Sequence, residues 1–170
     1  MRPTTHQPDV ELSLGAVQRG ALVGLVALAG VIGTWSYFWP RHFFEHFPVV
    51  VGAWIAQDGP FNEHLACDHG AMYLALGAAS AYGLIRGSQA VYRVTGIAWT
   101  VFGTLHVAYH AGHLGQLATA QAVSQAAALI VALALGVAVM IPGRPRRLET
   151  PHAHPRVRRV RDWMRFSTVR

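Results

Sequence analysis

The chain has 170 residues, of which 52% are hydrophobic and only 13% charged, with a formal net charge of +6. Charge is absent from 20–39 and again from 114–143. Uncharged runs of that length match a hydrocarbon core of about 30 Å and argue against one compact soluble domain. The lone Cys67 excludes an intramolecular disulfide and any paired-thiolate metal site.

Residues 1–19 mix proline, threonine and charge without a period, as a short, partly disordered cytoplasmic arm would. A first helix is expected over 20–39. It ends in Trp35, Tyr37, Phe38 and Trp39 rather than in the small residues of a signal-peptide cleavage site, so it should be retained. Those aromatics suit a membrane–water boundary. Pro40 should close the helix, since it cannot extend the hydrogen-bond ladder. Residues 41–61 interleave Phe43, Phe44, Phe47, Trp54 and Phe61 with His42, Glu45 and His46. Such a loop lies along the interface or folds over the mouth of a helix bundle, and could deliver His42 or His46 to a site there. Asp58, Gly59 and Pro60 read as a turn.

Asn62 is a good N-cap for a second helix over 64–86, with Glu63 favourable beside the positive end of the helix dipole. Gly77 and Ala81, like Ala79 and Gly83, are spaced as in membrane helices that approach closely. Gly87 and Ser88 make a turn, a third helix is expected over 91–112, and Gly112 and Gly115 break it. A fourth, over 119–141, is mostly alanine, leucine and valine. The expected fold is therefore all-α: a four-helix transmembrane bundle across 20–142, with short loops.

The chain has no lysine, and nine of its arginines lie beyond Pro142. In the tail, 143–170, Val157, Val160 and Trp163 or Met164 recur at helical spacing between arginines, as in a basic amphipathic helix on anionic lipid. No nucleic-acid-binding motif accompanies the charge. The turn between the second and third helices carries Arg86 and Arg93; the loop after the third helix carries no arginine. The positive-inside rule then puts both termini in the cytoplasm of a multi-pass plasma-membrane protein.

Two polar groups stand out: Glu63, His64, Asp68 and His69 at the start of the second helix, and His106, His110 and His113 at the end of the third. A rise of about 1.5 Å per residue puts Asp68 roughly 27 Å above Arg86, His110 roughly 26 Å above Arg93, and Gln125 roughly 28 Å above Arg144. Ionisable groups at such positions face the bundle interior or a wet cavity and find partners there. His64 and Asp68 share one helical face, as do His106 and His110, with His69 turned about 100° away from Asp68. One carboxylate facing imidazoles suits zinc or iron, so His64, Asp68, His106 and His110 are the expected ligands, with Glu63, His69, His113 and Gln125 orienting them. Haem b is an alternative, with His69 or His64 opposite His106 or His110 as axial ligands. Two further readings stay open: a proton relay, for which the inner half offers little beyond Thr95 and Thr100, and a group that only fixes helix packing in a homo-oligomer or a larger membrane complex.

From Asn62 to Gly70 the chain resembles small four-helix integral membrane proteins of bacteria that carry an Asn-Glu-His-Leu…Asp…Gly motif and late histidines in a following helix. The resemblance covers about residues 38–113. It implies a four-helix membrane fold and carries no activity with it. In that pattern a basic residue precedes the aspartate, where this chain has Cys67, so Asp68 should find its partner elsewhere, such as in a histidine.

Overall fold

The computed structural model describes residues 15–57 and 59–141. These are helical, with no strand among the described residues. Five α-helices follow one another: α1 (Ala16–Phe38), α2 (Pro40–His46), α3 (Glu63–Arg86), α4 (Gln89–Ala111) and α5 (Thr119–Met140). Single 3-10 turns occur at Ile55–Gln57 and Leu114–Gln116. The arginine-rich tail and most of the amino-terminal arm lie outside the described residues.

Two boundaries differ from expectation. The first helix starts at Ala16, so 16–19 belong to α1 and not to the arm. Its apolar repeat extends back to Gln18, which is buried and donates from Nε2 to the Val139 carbonyl of α5 at 3.0 Å. Pro40 does stop α1, but it also opens α2 at that helix's first turn, where a missing N–H costs nothing. Part of the expected loop 41–61 is thus a helix of seven residues.

The other ends follow local rules. Asn62 caps α3 by accepting the Leu65 N–H on Oδ1 at 3.1 Å. Asn62→Ala should therefore cost about 1 kcal/mol of stability, read as a lowered melting temperature of the purified protein; an unchanged one would show that the cap contributes nothing. Gly87 ends α3 at φ 64°, the left-handed conformation that favours glycine.

The four long helices pack α1 on α3, α3 on α4, α4 on α5 and α5 on α1, with α2 lying against α1 and α3. At Gly70 the α1 and α3 backbones nearly touch: a Cβ there would meet Tyr37 N at 2.6 Å and the Gly33 carbonyl oxygen at 2.9 Å. On the other side, Gly96 and Gly103 of α4 pack on α5, where Gly136 faces the Trp99 Cβ. Gly77, expected at a close contact, makes one with Ala29, whereas Ala79 is exposed.

Leu22, Leu25, Ala29, Phe43, Tyr92 and Trp99 are buried in an apolar core, with polar residues buried beside them. Buried positions include Gln18, Ser36, Ser80, Thr95 and Gln125. Meanwhile Val17, Val31, Ile85, Val94, Leu105 and Val123 are each more than 60% exposed. Helices α1 and α5 are each long and apolar enough to cross a membrane.

Candidate binding cavity

Between the segment after α2 and the neighbouring ends of the long helices lies a cavity of about 660 Å³. Its roof comes from residues whose sequence reads as boundary aromatics. Phe43 is buried under Trp35, which meets it edge-on at 5.6 Å. Phe47 packs edge-on against Trp54 at 5.5 Å, and the Trp54 backbone N–H donates to the Phe47 carbonyl at 2.9 Å. Gln57 ties the end of this segment to α5, donating from Nε2 to Gln121 Oε1 at 3.1 Å. Leu28 and Ile32 of α1, with Ala128, Leu129 and Ala132 of α5, complete an apolar wall.

The polar part of the lining comes from three helices. His69 and Tyr73 lie on α3, His106 and His110 on α4, and Gln125, only 5% exposed, on α5. The ring centres of His106 and His110 are 4.7 Å apart, as two residues one helical turn apart on the same face should be. Across the helix pair, His69 and His106 are 6.4 Å apart. Below them Tyr73, Phe102 and Trp99 pack edge-on, and Trp99 donates from Nε1 to Ser80 Oγ at 2.9 Å. Farther from the cavity, Gln18 and Ser80 are buried as well as Thr95, and none of these is ionisable.

The four residues expected to share a metal stand as two pairs, His64 with Asp68 and His106 with His110. His64 and Asp68 pair with each other, Nε2 to Oδ2 at 3.3 Å, on a face where their side chains are 87% and 63% exposed. They do not line the cavity that His106 and His110 line. A histidine does partner Asp68, but it is its own helical neighbour, one turn away. Among the described residues no group of three or more histidine, cysteine, aspartate or glutamate side chains is placed to hold a metal ion. The 6.4 Å gap explains this in part. Two imidazoles binding one tetrahedral zinc through nitrogens at about 2 Å need their rings closer than that.

Of the residues expected to orient ligands, His69 and Gln125 line the cavity, and Glu63 and His113 do not. The His113 ring stacks on Tyr109 at 4.4 Å and its Nδ1 donates to the Tyr109 carbonyl at 2.7 Å. His42 and His46 stack on each other at 4.3 Å on the exposed side of α2, away from the lining. Cys67 packs against α1, its Sγ 3.7 Å from the Tyr37 carbonyl oxygen.

Sequence reasoning passed over Tyr73 and Trp54 as cavity residues. The signal for Tyr73 is in α3 itself, where Gly70, Tyr73, Gly77 and Ser80 recur at helical spacing and mark the buried face. His69 borders that stripe, whereas His64 and Asp68 lie off it.

Comparison with known protein families, curated proteins and solved structures returns no match for this chain.

Proposed function

We propose that this chain is a membrane protein whose four long helices cross the bilayer as a bundle, with both termini cytoplasmic, and that its cavity binds an apolar molecule through one polar end. The observation that carries the reading is the cavity lining: apolar and aromatic walls interrupted by three imidazoles, the phenols of Tyr73 and Tyr109, and the amides of Asn62 and Gln125. The exposed apolar faces of all four long helices, set around buried polar residues, support a lipid surround. Leu28, Ala128 and Ala132 line both the cavity and an apolar groove of about 440 Å³ between α1 and α5, which gives a lipid-borne molecule a sideways route in.

A haem would be served by His69 and His106, but its propionates would meet no cation among the described lining residues. An amphiphile with a single polar end suits the lining better. A zinc or iron ion would need His69 to move towards His106 and His110, in place of the exposed His64 and Asp68.

Mass spectrometry of the protein released directly from its native membrane should show a bound apolar molecule at stoichiometric level. Protein that emerges empty, or with stoichiometric metal or a Soret band, would overturn the reading. Orientation is tested in a Cys67→Ala background. An impermeant maleimide added to intact cells should label Gly59→Cys and leave Ser88→Cys unlabelled, and the reverse pattern would invert the topology.

A further inference from the structure

The cavity's polar groups restrict the head of its ligand, and this inference rests on the binding role proposed above. Ser36, fully buried on α1, has one proton to give. Its Oγ lies 2.6 Å from the Ala66 carbonyl oxygen and 3.3 Å from His69 Nδ1. A hydroxyl at 2.6 Å from a carbonyl oxygen must be donating to it, because two bare oxygens would repel at that distance. The hydroxyl therefore offers only a lone pair to His69, and Nδ1 must carry the imidazole proton. No described residue lining the cavity is a carboxylate that would compensate an imidazolium, which favours the neutral ring. Its Nε2 then holds a lone pair, on the edge of the ring away from Ser36. The buried serine thus fixes His69 as an acceptor.

Above it the roof is closed by Trp54, which lines the cavity and is 7% exposed. We infer that the ligand carries a hydroxyl on a ring-bearing apolar body, a phenol, quinol or sterol-like alcohol, whose proton goes to His69 Nε2. The edge-on aromatics of the wall favour a ring on that body.

The test uses 4-hexylphenol and 4-hexylanisole, which share a body and differ in the hydroxyl proton. Each is titrated calorimetrically into the full-length protein in nanodiscs, with Ala66→Phe protein as the blank for partition into lipid. The phenol should bind about tenfold more tightly or better, the equivalent of one hydrogen bond worth about 1.4 kcal/mol. Ser36→Ala should erase most of that preference while leaving anisole binding unchanged, and nitrogen-15 NMR of His69 should report the Nδ1–H tautomer in wild type alone. Equal binding of the two probes would overturn the hydroxyl inference and leave the cavity role standing. Binding of neither probe above the blank would overturn both.

Discussion

Gly70→Ala should sharply lower the melting temperature of the detergent-purified protein, whereas Gly30→Ala should hold or raise it. Both glycines lie inside long helices, and helix propensity alone would reward either alanine by about 1 kcal/mol. Their surroundings reverse the sign at one of them. A Cβ at Gly70 would sit 2.6 Å from Tyr37 N and 2.9 Å from the Gly33 carbonyl oxygen, and neither is the end of a side chain that can swing aside. The helices must separate, at an overpacking cost of about 1–3 kcal/mol or more. A Cβ at Gly30 meets nothing within 4 Å. Separation at Gly70 also shifts Ser36 and His69, which lie within a turn of the contact, so the phenol preference should fall with stability. Equal melting temperatures for the two variants would mean that α1 and α3 do not meet as described.

Filling the cavity should remove its ligand without unfolding the protein. Ala66 lines the cavity from α3 one turn before His69, and an aromatic ring there would occupy space that the ligand needs. Ala75, exposed on the same helix, is the matched control. Ala66→Phe should lower occupancy by the native apolar molecule at least about tenfold, a loss of about 1.4 kcal/mol in binding, whereas Ala75→Phe should leave it unchanged. Because the new ring enters a void, the usual overpacking penalty is avoided and both variants should melt close to wild type. Retained ligand in a stable Ala66→Phe protein would place the molecule elsewhere.

Much of the secondary structure is legible without coordinates. Each expected long helix stands within a few residues of an observed one, because apolar runs, Asn62 and Gly87 act through neighbours in sequence. Pro40 was half legible: it stops one helix by lacking an N–H, and for the same reason it can begin the next. The aromatics of 43–61 announce a segment at the bundle mouth, but not which rings form a roof.

The site was harder to read, and His64, Asp68 and His69 show why. All three are polar and lie within six residues, and a carboxylate one turn from a histidine is the more persuasive metal motif. Yet a helix turns neighbours to different faces, and which face goes inward depends on where Gly70 and Gly77 allow α1 to approach. Sequence alone determined that helices of this length and apolarity would form, since propensity and capping are local. Only the tertiary structure decided that His69, and not Asp68, would meet His106. That choice depends on backbone contact between segments more than thirty residues apart, and no local pattern encodes it.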